Sequence, residues 1–226
     1  MKKILITGGN GMLGSDVVPI LAKKFNTIVP DQSSLNITDR NAVLDTIISG
    51  SFDLVLHMAA LTDLDWCEEH PEDAMNVNAR GTRYIAEACE KIGAKMIYIS
   101  TSGIFSGKLG RPYIETDIPK AANVYGQSKY EGELAVQEIL SEDRWLILRV
   151  GWLFGGGKND KKFVGKIFNM MKKLPRVQAV SNIWGSPNYS VDIGNVILKM
   201  IERDVSGLFH IANEGEPASR YDLAVA

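Results

Sequence analysis

Apolar residues fall into short dense runs, separated by longer stretches in which they recur at helical spacing. Ile4-Leu5-Ile6 reads as a first strand, and a glycine-rich turn hands it to a helix from Leu13 to Phe25. Asn26 to Val29 is a second strand that ends at Pro30-Asp31. A helix follows from Asp39 to Ile48, with Thr38 as its cap. Leu54-Val55-Leu56 is the third strand. A long helical pattern then runs from Glu72 to Ile92 and stops at Gly93. Met96-Ile97-Tyr98-Ile99 is strand four, Val124 to Leu140 a helix, and Leu146-Ile147-Leu148 strand five.

Short, wholly apolar strands alternating with amphipathic helices predict an α/β domain with a parallel sheet covered on both faces. The glycines in the first strand-to-helix turn make it a doubly wound, Rossmann-type nucleotide-binding fold over residues 1–150. After Val150 the rhythm loosens. Gly155-Gly156-Gly157 opens a flexible stretch, Asn182 to Asn188 reads as a loop, and Val177 to Val180 and Leu208 to His210 read as strands. Residues 151–226 are therefore expected to form a small substrate-binding lobe interleaved with the last sheet elements. Tyr221 to Ala226 opens an apolar helix face with nothing after it, which predicts a truncated C-terminus.

At 226 residues the chain can bury a real core. A formal net charge of -2 gives no electrostatic reason to expect nucleic acid or an anionic membrane as partner. No apolar run reaches the roughly 18 residues of a membrane span. The two cysteines, Cys67 and Cys89, fit a reduced cytoplasmic protein without disulfides, and no ligand spacing predicts a metal. Asp16 is a lone carboxylate, too little to predict magnesium.

The stretch Gly8-Gly9-Asn10-Gly11-Met12-Leu13-Gly14 directly follows the first strand. One glycine permits the tight turn, the next lets the backbone approach a pyrophosphate, and the third lets helix pack on strand. The helix N-terminus adds free N–H groups and a partial positive charge. Asp31, at the end of strand two, is placed to accept hydrogen bonds from both ribose hydroxyls of an adenosine. No Arg or Lys follows it in Gln32-Ser33-Ser34 to neutralise a 2′-phosphate, so NADH is favoured over NADPH.

Tyr125 and Lys129 lie one helical turn apart and share a face. A nearby ammonium should lower the tyrosine's pKa towards the working range and can also hold the nicotinamide ribose. Thr101, at the end of strand four, can orient a substrate carbonyl. Cradle, acid and hydroxyl together point to hydride transfer on an alcohol or ketone. His57 and His70 are expected to be structural. The lysines between Lys158 and Lys162, with Lys166 and Lys172-Lys173, are expected to form a solvated helix face.

With these residues the chain resembles the extended short-chain dehydrogenase/reductases. Within them it is most similar to the dTDP-4-dehydrorhamnose reductases. The likeness is carried by Ala59-Ala60-Leu61-Thr62 with Asp65, Glu68-Glu69 and Pro71, and by Asn76 to Thr82. Tyr113 to Asp117, Asn123 to Glu133, Arg149 to Gly155 and Gly185 to Asn188 extend it along the chain. The resemblance implies NAD(P)H-dependent reduction of the 4-keto group of a nucleoside-diphosphate 6-deoxysugar. It implies Tyr125 as proton donor, Thr101 on the carbonyl, and Lys129 on Tyr125 and the ribose. Ser102 and Trp152 would line the sugar. Asn10, Met12, Leu13, Asn36, Ile37, Ala60, Leu61, Thr62 and Asn78 would lie along the cofactor. Ser102-Gly103 stand where that family usually carries Asp-Tyr. The alternatives are a nucleotide-sugar epimerase and a non-catalytic cofactor-binding subunit, and a homodimer stays open.

Overall fold

The computed structural model describes all 226 residues. Its first half runs β1 (Lys3–Thr7), α1 (Met12–Leu21), β2 (Asn26–Ile28), α2 (Arg40–Gly50), β3 (Leu54–His57), α3 (Leu64–Glu69), α4 (Pro71–Ala74). A π-helical turn over Met75–Gly81 leads into α5 (Thr82–Ile92), β4 (Lys95–Thr101), α6 (Val124–Ile139) and β5 (Trp145–Val150). The remainder comprises β6 (Leu153–Phe154), α7 (Phe163–Met171), β7 (Trp184–Gly185) and β8 (Asn188–Tyr189). Then come α8 (Ser190–Glu202), β9 (Gly207–Ile211), β10 (Ala218–Ser219) and α9 (Arg220–Val225).

Six strands form one all-parallel sheet in the order β2-β1-β3-β4-β5-β9. The chain winds one way from β1 to β2 and the other way from β3 onward. The strand order therefore reverses between β1 and β3, and ligands of open parallel sheets bind outside the carboxyl ends of such a switch point. Alternate residues of each strand feed opposite faces. Leu5, Val55 and Tyr98 pack with Val43, Ile85 and Val136 under α2, α5 and α6. Ile4, Leu56 and Ile97 pack with Val17, Ile193 and Ile197 under α1 and α8. Outside this sheet, β10 pairs antiparallel with β7, and β6 pairs with β8.

Several local expectations change. Asp39, not Thr38, caps α2, its carboxylate accepting from the N–H groups of Asn41 and Ala42. The long helix expected over 72–92 is interrupted by the π-helical turn, which carries Asn78 against α6. Asp63 caps α3 by accepting from Trp66 N, a helix the apolar pattern does not announce. Residues 177–180 are not a strand. The loop expected over 182–188 instead carries β7 and the start of β8.

Candidate active site

The glycine turn is built as its spacing predicts. Gly8 has φ +72°, and a Cβ there would meet Ala59 N at 2.5 Å. A Cβ on Gly14 would strike Gly9 O at 2.3 Å, so α1 packs directly on the turn. Beside them, Gly11 faces open space apart from Gly8 O. No side chain caps α1, so its first-turn N–H groups remain available for an anion. Above them lies a cavity of about 660 Å³ at the β1–β3 switch point.

Of the residues expected along a cofactor, Gly8, Asn10, Gly11, Asp31, Asn36, Ile37, Ala60 and Leu61 line this cavity. Trp66, Asp73, Asn76 and Val77 line it too, which spacing alone does not signal. These residues fit a dinucleotide: an open glycine backbone, an uncapped helix and a carboxylate at the rim. Asp31 accepts from Ser33 Oγ at 2.7 Å and Ser34 N at 2.8 Å. The Ser34 and Ser33 hydroxyls pull its pKa down to about 2.

Among the other expected residues, α1 offers its first-turn N–H groups while its side chains face elsewhere. Leu13 and Gly14 are buried, Leu13 in the core under α1 and Gly14 against Gly9, because that face of the helix meets the sheet. The Met12 carbonyl accepts from the Ser15 hydroxyl. Asn78 is fully buried, and its amide is engaged throughout. It accepts from Leu61 N and donates to Leu61 O and Ser128 Oγ, each at 2.9 Å. Asn78 thus ties the 59–62 loop to α6 rather than presenting itself to a ligand.

Asn123 caps α6 by accepting from Gly126 N at 2.8 Å, and Glu68 accepts from Val124 N at 2.7 Å. The next turn holds Tyr125 and Lys129 at the carboxyl end of β4. Gly126 is the hinge of this arrangement: a Cβ there would come within 2.1 Å of Gly103 O. Its absence lets the helix seat against the 3-10 turn Ser102–Ile104 beside Thr101. Thr101 Oγ1 accepts from Gly103 N at 3.0 Å, and its hydroxyl neighbours Tyr125.

Lys129 is 2% exposed, and its Nζ lies 4.1 Å from the Tyr98 ring centroid. Burial pushes its pKa down to about 7, against the opposing charge of Glu133. Burial also pushes Tyr125 up to about 12, with the neighbouring Thr101 hydroxyl pulling the other way. This corrects the expectation that Lys129 lowers the tyrosine. Desolvation sets the direction at Tyr125, and the same burial lowers the lysine. His57 is structural as expected, bridging Thr7 Oγ1 at 2.6 Å and Thr82 Oγ1 at 3.0 Å inside the sheet.

On the far side, Trp152 has φ +42°, and its indole lies where a Cβ on Gly185 would stand. A Cβ on Gly151 would meet Ser102 Oγ at 2.3 Å, so Ser102 and Trp152 belong to one wall. Lys162 is not part of a solvated face. Its Nζ donates to Thr62 O at 3.1 Å and Thr62 Oγ1 at 2.7 Å, closing the later part of the chain over the 59–62 loop. Asp16 is a strut between α1 and that later part, accepting from Gly156 N at 2.7 Å and from the Ser190 hydroxyl.

The model of the RmlD substrate binding domain matches residues 1–226. A dTDP-4-dehydrorhamnose reductase of Mycobacterium tuberculosis is 35% identical over 231 residues, covering 100% of this chain and 74% of its own. A dTDP-4-keto-6-deoxy-D-glucose reductase of Streptomyces niveus is 33% identical, covering 97% of this chain and 75% of its own. The crystal structure of a Bacillus anthracis dTDP-4-dehydrorhamnose reductase in complex with NADP superposes with a TM-score of 0.93 at 32% identity. That match covers 99% of this chain and 79% of the other.

Proposed function

This chain belongs to the dTDP-4-dehydrorhamnose reductase family, whose RmlD domain it matches throughout, and from that premise we propose that it reduces the 4-keto group of a nucleoside-diphosphate 6-deoxysugar with NAD(P)H. The observation that carries this reading is the meeting of Thr101, Tyr125 and Lys129 at the end of β4, next to a cavity shaped for a dinucleotide. Bound NAD(P)H supplies the hydride.

The chain's own groups manage charge and proton. A phenol pushed up to about 12 is fully protonated at neutral pH, so Tyr125 holds the proton that the carbonyl oxygen needs. The Thr101 hydroxyl, its oxygen already accepting from Gly103 N, donates to the same oxygen as negative charge grows there. Lys129 then offsets the charge left on Tyr125. Its pKa of about 7 leaves a substantial ammonium fraction at neutral pH, and Glu133 favours that form.

Of the two nicotinamide cofactors we favour NADH. The Asp31 carboxylate stays ionised at neutral pH, accepts well from paired ribose hydroxyls and repels a 2′-phosphate, and no cation stands in Gln32–Ser34 to offset it. The Bacillus anthracis relative was crystallised with NADP, so the preference is a property to be measured on this chain.

The test follows the near-ultraviolet absorbance of reduced nicotinamide with dTDP-linked 4-keto-6-deoxysugars, using NADH and then NADPH. Consumption with at least one sugar supports the reductase, and a higher kcat/KM with NADH supports the role of Asp31. Tight cofactor binding without consumption on any sugar overturns the enzyme reading.

A further inference from the structure

Arg220 is set apart from the other arginines by what it lacks. Arg40, Arg80, Arg83, Arg111, Arg144 and Arg149 each pair with a carboxylate. Arg176 and Arg203 have no such partner but are exposed. Arg220 is half-buried and has neither an ion-pair partner nor a side-chain hydrogen bond. Its Cζ lies 3.8 Å from the Trp152 ring centroid and 4.7 Å from that of Phe163. Two aromatic faces therefore hold the flat cation. No fully buried side-chain nitrogen in the chain lacks a partner, so its N–H edge remains open.

Covering a guanidinium without a counter-charge is unfavourable, and burial lowers the Arg220 pKa accordingly. Cation–π contact offsets part of that cost. A rigid planar fork with an unpaired edge suits bidentate recognition of phosphate oxygens.

Its location fits that use. Trp152 follows Gly151, which abuts Ser102 beside Thr101. Phe163 follows Lys162, which reaches Thr62 on the cofactor-side loop. Trp152 thus adjoins the wall beside Thr101, and Phe163 adjoins the link to the loop after β3. Resting on the ketoreductase reading, we propose that Arg220 is a specificity-determining residue that takes the diphosphate of the nucleotide-sugar, its orientation held by Trp152 and Phe163. The site so formed selects substrates by their phosphates, independently of the sugar.

Calorimetric titration with thymidine, dTMP and dTDP tests this on the native chain, R220Q and R220K, with NADH titrated as a control for folding. The native chain should bind dTDP more tightly than thymidine. R220Q should lose about ten- to a hundredfold in dTDP affinity and leave thymidine and NADH unchanged. R220K, a point charge without the fork, should recover only part of the loss. An R220Q variant that keeps native dTDP affinity overturns the proposal. So does loss of NADH affinity in both variants, which would assign Arg220 to packing. A native chain that reduces keto-sugars yet binds thymidine and dTDP equally refutes the Arg220 role alone. One that neither reduces them nor binds dTDP refutes the underlying reading as well.

Discussion

Lys129 illustrates how a single buried residue couples stability to pH. Its pKa of about 7 in the folded chain lies well below the ordinary lysine range. Above pH 7 the unfolded chain therefore holds a proton at this position that the folded chain has largely released. Stability rises with pH wherever the unfolded state binds more protons, so this residue's contribution climbs from about pH 7 upward. Replacing it with methionine should remove that slope: the stability gap of K129M over the native chain, read from urea melts, should narrow as pH rises from about 7 to 9. A gap independent of pH would mean that Lys129 keeps its charge when folded. The residue types of the site, Tyr125, Lys129, Thr101 and Asp31, are legible in the sequence because each sits at a fixed offset from a strand end or within one helical turn. Their ionisation is not. Burial alone moves Tyr125 and Lys129 in opposite directions, and burial depends on distant residues such as Tyr98.

At the scale of elements, the site depends on how closely α6 approaches the 3-10 turn after β4. Gly126 sets that approach, since any side chain there would overlap Gly103 O. G126A should cost about 1–3 kcal/mol of stability. It should also lower kcat more than it weakens cofactor binding, because it displaces Tyr125 from Thr101 while leaving the cavity at β1–β3 intact. Equal kcat in G126A and the native chain would show that the turn yields without consequence. Strands β1, β3, β4 and β5 are legible because buried parallel strands are continuous apolar runs, and α6 is legible from its period. The π-helical turn at Met75–Gly81 leaves no periodic mark, since one extra residue per turn looks like an ordinary helix in sequence. The stretch 177–180 misleads for the opposite reason. Its mostly apolar residues suit a strand, but no neighbouring strand offers it a ladder.

Across the whole molecule, a buried charged network ties the adjacent strands β4, β5 and β9 to α6. Arg149 on β5 and Glu133 on α6 pair at 2.7 Å while 5% and 1% exposed. Glu133 also accepts from the Ser100 hydroxyl, and Arg149 reaches Glu115 O and His210 Nε2. Removing one partner leaves a buried charge uncompensated. R149M should therefore destabilise the chain by about 3–5 kcal/mol in urea unfolding, whereas a loss under about 1 kcal/mol would mean that water reaches Glu133. Neither this pairing nor the placement of β9 beside β5 can be read from local pattern, because both depend on contacts between residues far apart in the chain. The same holds for Arg220, whose aromatic platforms come from Trp152 and Phe163.

Hydride transfer to the sugar carbonyl, with Tyr125 as proton donor, leaves an isotopic trace on the product. NADH deuterated at its transferable position is supplied with a dTDP-4-keto-6-deoxysugar, and the sugar product is examined by proton NMR. Deuterium is expected at C4 of the sugar in the native reaction, with a rate lowered by about two to four orders of magnitude in Y125F and NADH binding retained. A sugar altered without deuterium at C4, or native-like transfer in Y125F, would contradict this mechanism.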